Sequence, residues 1–260
     1  MSRIKLAIVQ FPRRQPDRAF SIEHMARCLS AVDPDTDVVL LPEGWLGPSL
    51  MEDSEYQATM EELLGQIKAP DCLLASGAQY VKAASGRPLA RGFFLSRQHP
   101  PVAYEKLFPS QAIGERRFIA PGSRLPVVEH RGLLVGAVVC VDFFYPEVVR
   151  SLALRGAVLI LNPANIPANR MPLWHHLGVT RACENTVFVA MANNTEGIYP
   201  DRREIKGDSF VAFPDGYQLI TFGPRPGIYY SELDLALIDQ VRERWPYLED
   251  LRRRGREIPN

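Results

Sequence analysis

"GLLVGAVVCVDFFYPE", residues 132–147, is an apolar run that ends on a thiol, an acid and three aromatics. Small and β-branched apolar residues between Gly132 and Pro146 predict a buried strand. A free cysteine at the end of such a run is ordinarily a small hydrophobe filling the core. Asp142 argues against that role. Strand alternation would place it on the same face as Cys140, and an unpaired carboxylate in a core is costly. The order Cys then Asp therefore predicts that the chain leaves the core at Cys140.

Similar runs recur outward from this one: "IKLAIVQ", "DVVLLPE", "CLLASGAQYV", "RGFFLSR", "AVLILNPAN", "TVFVAMANN" and "DSFVAFP". Between them "DRAFSIEHMARCLSAV", "SEYQATMEELLGQIKA", "YPEVVRSLALRGA" and "PLWHHLGVTRACEN" carry apolar residues at helical spacing. The order strand, helix, strand, helix, two strands occurs before residue 100 and again after 130, as in an internal duplication. That alternation predicts an α/β fold, with helices covering the faces of its sheets. Residues 1–260 read as one domain, and 229–260 form a strand and helix tail that can leave the body and reach a partner subunit.

Composition narrows the function. Thirty basic and thirty acidic residues cancel, so no overall field favours nucleic acid or an anionic membrane. "LRRRGRE" near the C-terminus reads as a solvated helix end. No apolar stretch approaches the roughly 20 residues that span a bilayer, and the N-terminus lacks a signal-peptide pattern. The expectation is a cytoplasmic protein. The four cysteines, at 28, 72, 140 and 183, form no CxxC pair, which predicts free thiols. His175 and His176 are adjacent and lack the spacing of metal ligands. No GxGxxG or GxxxxGK stretch is present. Neither a metal nor a cofactor is expected.

In α/β proteins, sites collect beyond the carboxyl ends of strands. Glu43 closes "VVLLPE", Cys140 closes "LLVGAVVC", and Asn162 and Asn165 lie in "LNPAN". Lys106 follows the extended "PPVAYE". Taken singly, Lys106 reads as a surface cation, whereas Pro42, Gly44 and Trp45 around Glu43 predict a tight, partly apolar turn in which the acid can take a proton. Taken together with Cys140, they supply a nucleophile, a base to take its proton and a cation for a developing oxyanion. Attack on a carbonyl or nitrile carbon is within their reach.

These residues resemble the motifs of the nitrilase superfamily of carbon–nitrogen hydrolases. "LLPEGW" is similar to its glutamate motif, "YEKLFP" to its lysine motif and "GAVVCVDFFYPE" to its cysteine motif. "GERRFIAPG", "RGAVLILNPAN", "TRACENTVFVAMANNTEG" and "GDSFVAFPDG" continue the resemblance over nearly the whole chain. It implies a four-layer α-β-β-α sandwich of two mixed sheets covered by helices, paired through helices as a homodimer or higher homo-oligomer. It implies Cys140 as nucleophile, Glu43 as general base and then acid, Lys106 as oxyanion partner, and Glu115 as the residue orienting the lysine or substrate. The Val141 N–H would complete the oxyanion site. The lysine ammonium is expected to lower the pKa of the thiol.

"VD" after the cysteine is similar to the amidase and carbamoyl-amidase branches, which implies a small linear carboxamide cleaved to acid and ammonia. Many members carry histidine two positions after the lysine, where this chain has Phe108, and that departure suggests a more apolar substrate. Trp45, Phe108, Phe144, Asn165 and Ile166 are candidate pocket residues, with sheet packing the competing role for Phe144. Arg181, Glu184 and Asn185 read as scaffold pinning a helix to the site. Four other readings stay open: a Cys140 pair with His175 or His176, a nitrilase, an N-carbamoyl amide hydrolase with Arg170 as carboxylate clamp, and a non-enzymatic binding member.

Overall fold

The computed structural model describes residues 3–13, 17–83 and 86–254. The first half contains β1 (Arg3–Gln10), α1 (Arg18–Ser30), β2 (Val38–Leu40), β3 (Met51–Glu52), α2 (Asp53–Gln66), β4 (Leu73–Ala75), β5 (Gln79–Lys82), β6 (Leu89–Leu95) and β7 (Val102–Glu105). The second contains β8 (Val127–His130), β9 (Leu133–Ala137), α3 (Pro146–Leu154), β10 (Leu159–Pro163), α4 (Met171–Asn185) and β11 (Phe188–Ala192). The short strands β12 (Thr195–Ile198), β13 (Glu204–Lys206), β14 (Phe210–Ala212) and β15 (Leu219–Thr221) follow, then β16 (Gly227–Asp234), α5 (Ala236–Arg244) and α6 (Tyr247–Arg254).

Two large mixed sheets result, ordered β16-β1-β2-β4-β6-β5-β3 with β7 on β6, and β15-β14-β11-β10-β9-β8, beside a two-stranded sheet of β12 and β13. Period-two patterning in the central strands explains the layers. Leu6 and Ile8 of β1 and Val38 and Leu40 of β2 share a core with the second sheet and with α3 and α4. The alternate residues Ala7, Val9 and Val39 pack instead with Met25 and Leu29 of α1 and Met60 and Leu63 of α2. The two sheets thus face each other and carry a helical layer on each outer side, a four-layer α-β-β-α sandwich.

The sheets are also tied by polar groups. Gln10, at the end of β1, donates to the carbonyls of Gly223 (2.9 Å) and Arg225 (2.5 Å). Its Oε1 accepts from the N–H and hydroxyl of Ser209, at 2.9 and 2.8 Å. Buried amides used this way satisfy backbone groups that no ladder reaches.

Two expectations about elements are corrected. "CLLASGAQYV" is two strands, broken where Gly77 takes φ +79°. A Cβ at Gly77 would lie 2.1 Å from the Pro42 carbonyl oxygen, so this close approach requires glycine. Likewise β9 ends at Ala137, and Cys140 begins a 3-10 turn over Cys140–Phe144. In the tail, β16 pairs with β1 over its full length, and α6 packs on α3 and α4. Residues 255–260, including the end of "LRRRGRE", lie outside the described residues.

Candidate active site

Glu43 lies three residues beyond β2 and is held by both sheets. Its N–H donates to the Ala164 carbonyl (3.2 Å), and its carbonyl accepts from Asn194 Nδ2 (2.7 Å). Lys106 directly follows β7, with its N–H on the Ala90 carbonyl (2.9 Å). Its ammonium donates to Glu43 Oε1 and Glu115 Oε1, each at 2.8 Å. Glu115 opens a short 3-10 turn and is buried; it also accepts from the Tyr80 hydroxyl (2.7 Å) and the Ser110 N–H (2.5 Å).

Cys140 completes the cluster from a strained backbone. Its φ is +48°, a left-handed conformation that costs a β-carbon-bearing residue about 1–2 kcal/mol. The surroundings hold it there. Asn162 donates to the carbonyls of Val138 (2.6 Å) and Cys140 (3.4 Å), and Arg181 donates to those of Phe143 (3.2 Å) and Phe144 (3.1 Å). The Glu43 side chain and the Asn165 backbone lie close enough to the Cys140 thiol to act on its proton.

The electrostatics follow from this packing. Burial pulls the Lys106 ammonium toward its neutral form, but the Glu43 and Glu115 carboxylates outweigh it and hold its pKa well above the ordinary value. Burial, and then the Glu43 charge, push the Cys140 thiol well above its usual range, and Lys106 only partly opposes them. The ammonium lowers the thiol's pKa as expected, but burial and Glu43 outweigh it, and the resting sulfur keeps its proton near the carboxylate able to take it.

Asp142 is corrected too. It is 1% exposed and far from unpaired: its two oxygens accept from the N–H groups of Leu107 and Phe108, each at 2.7 Å. Burial raises its pKa to about 7 against these bonds. The acid is thus a clasp between the turn that carries Cys140 and the loop that follows Lys106.

A cleft of about 580 Å³ meets this cluster at Glu43 and is lined also by Tyr80, Gln79, Asn165 and Tyr199. Asn165 lies on its wall, bonded to the Tyr199 hydroxyl and to Asn194 (both 2.9 Å). The other candidate pocket residues stand elsewhere. Trp45 is buried in the first-sheet core with its N–H on the Ser76 carbonyl (3.2 Å). Ile166 is buried, its N–H on Asn193. Phe108 stacks on Tyr145 at 3.8 Å, and Phe144 meets Trp174 edge-on. Val141 is the second residue of the cysteine turn.

Arg170 is exposed on the turn before α4 and does not line the cleft. His175 faces Asp208 and Phe210, and His176 bonds the Pro172 carbonyl. Among the described residues no cluster of side chains suits a metal ion, and no helix is long and apolar enough to cross a membrane.

Sequence reasoning passed over Tyr80, Asn194, Tyr199 and Arg13. Asn194 had a signal, since "AMANN" ends a buried strand in polar residues just as "LNPAN" does. Tyr80 and Tyr199 had none, because their role depends on which loops meet.

The sandwich with this cluster at its strand ends defines a class of α/β proteins that carry a cysteine between carboxylates and a lysine. A family model described as carbon-nitrogen hydrolase matches residues 5–243. The chain belongs to this family, within the nitrilase superfamily. Its relatives include a 2-oxoglutaramate amidase of Bacillus subtilis, 33% identical over 84% of this chain and 85% of that protein. An (R)-stereoselective amidase of a Pseudomonas species is 28% identical over 96% of this chain and 92% of its own length. A solved CN-hydrolase superfamily protein from Xanthomonas campestris shares the fold, with a TM-score of 0.85, 20% identity and full coverage of both chains.

Proposed function

We propose that the protein hydrolyses a small linear carboxamide to its acid and ammonia through a thioester on Cys140. The observation that carries this reading is the buried cluster itself: Cys140 at the head of its turn, with Glu43 bonded at 2.8 Å to the Lys106 ammonium that Glu115 also holds. As the sulfur attacks the carbonyl carbon, Glu43 takes the thiol proton and the carbonyl π electrons move to oxygen. Lys106 and the Val141 N–H hold that oxyanion. When the C–N bond breaks, protonated Glu43 gives its proton to the leaving nitrogen, and ammonia departs from the acyl-enzyme. Water then enters, Glu43 accepts its proton, and the tetrahedral adduct collapses to the acid. The returning proton restores the thiol.

Glu115 acts by holding the ammonium in place, with Tyr80 and the Ser110 N–H fixing the carboxylate in turn. The names of the amidase relatives agree with cleavage of an amide. Pairing of two subunits is proposed through the surface that α3, α4 and α6 form together, and analytical ultracentrifugation reads it.

Acid-quenched mass spectrometry tests the mechanism. A slowly turned-over amide should leave the peptide containing Cys140 heavier by the acyl group, a mass gain that hydroxylamine removes. Turnover with the acyl group trapped on another residue would overturn it.

A further inference from the structure

The cleft holds one cation that the chemistry above leaves unused. Arg13 lies just beyond β1 and lines the cleft together with Glu43, Tyr80, Asn165 and Tyr199. Its backbone is fixed: the N–H donates to the Thr195 carbonyl at 2.8 Å, and Pro12 bridges to Thr195. Its guanidinium lies beside the site, since a Cβ built on Gly44, the residue after Glu43, would come within 3.9 Å of Arg13 Nη2. Its charge is felt by Tyr199, the phenol bonded to Asn165. Asn165 in turn lies near enough to Cys140 to act on its thiol.

Among the described residues no carboxylate forms an ion pair with Arg13; Glu196, on the same wall, has a partner of its own. Lys106, by contrast, already pairs with Glu43 and Glu115 and keeps one N–H for the oxyanion. Two carboxylates against one ammonium leave the buried cluster with an excess negative charge, which repels an anionic substrate unless a cation nearer the mouth offsets it. Guanidinium presents a planar fork of donors that matches a carboxylate.

We propose that Arg13 anchors a carboxylate on the substrate, so that the amide cleaved is one end of a short chain whose other end is an acid. This rests on the amide-hydrolase reading and adds to it the charge of the substrate. A carboxylate seated on Arg13 fixes one end of the chain and leaves the amide to extend past Gly44 toward Glu43 and the thiol. Arg13 thereby selects substrate without taking part in bond making.

Binding separates this assignment from the hydrolytic one. Calorimetry would compare glutaramate with its uncharged methyl ester, using the intact chain carrying Cys140→Ala, with and without Arg13→Gln. The assignment expects Arg13→Gln to weaken glutaramate at least about tenfold and to move the ester less than about twofold, with Arg13→Lys falling between. Equal losses for acid and ester, or no loss for the acid, would overturn it. Ammonia release by the chain with Cys140 intact is scored separately. Its absence for every amide would contradict the hydrolase reading and leave the binding result to stand or fall alone.

Discussion

Lys106 is the residue on which the buried charges depend. Its side chain is fully buried between Glu43 and Glu115. Removing one partner of such a group leaves uncompensated charge at a cost of about 3–5 kcal/mol. Lys106→Met should therefore abolish turnover and also lower the denaturation midpoint, and Glu115→Gln in the same chain should restore part of the stability. A Lys106→Met protein as stable as the parent would contradict the geometry. Residue by residue, the site was legible where chemistry and position coincide. Glu43, Lys106 and Cys140 each stand at the end of a run of apolar residues, and that much a sequence displays. Arg13 and Tyr80 do not stand out, because no pattern in one strand says which loop of the other sheet will face it.

At the scale of elements, the clasp through Asp142 joins the turn that carries Cys140 to the loop that follows Lys106. Its pKa of about 7 compares with an ordinary 3.8, so the folded chain binds this proton more tightly than the unfolded one. The contribution to stability is then greatest below 3.8 and declines as pH rises through about 7. Asp142→Asn cannot ionise and should lose that slope. Melting temperatures of the two proteins, followed from about pH 5 to about pH 8, should diverge in favour of low pH for the parent alone; a constant difference would contradict it. The variant also faces an amide N–H₂ toward the N–H of Leu107 or Phe108, an unmade bond worth about 1–3 kcal/mol. The long helices were legible, since α1, α2, α3 and α4 bury one face at helical spacing. What escaped was local. The break at Gly77 and the turn at Cys140 both depend on positive φ, which a cysteine does not advertise and which alternation alone reads through.

Across the whole molecule, the site exists only because two sheets are held face to face. Glu43 comes from one and is bonded by Ala164 and Asn194 from the other, while Gln10 ties β1 to Ser209, Gly223 and Arg225. Gln10→Leu should lower the urea midpoint, by about 1–3 kcal/mol for each buried group left without a partner, with little change in the slope of the transition. Loss of the slope instead would mean that the sheets unfold separately. The duplication of strand and helix order predicted both sheets; their mutual placement came from polar ties between distant residues, such as Gln10 and Ser209, that no local window contains.

The central claim is that Cys140 cleaves an amide carbon–nitrogen bond, and ammonia release tests it most directly. Butyramide, succinamate, glutaramate, the matching nitriles and N-carbamoyl acids would be presented to the parent chain and to Cys140→Ala, with melting curves showing that both are folded. The account predicts release from at least one amide by the parent and a fall of about a thousandfold or more in the variant. Undiminished release by folded Cys140→Ala would contradict it, as would a parent chain that acts on nitriles and leaves every amide intact.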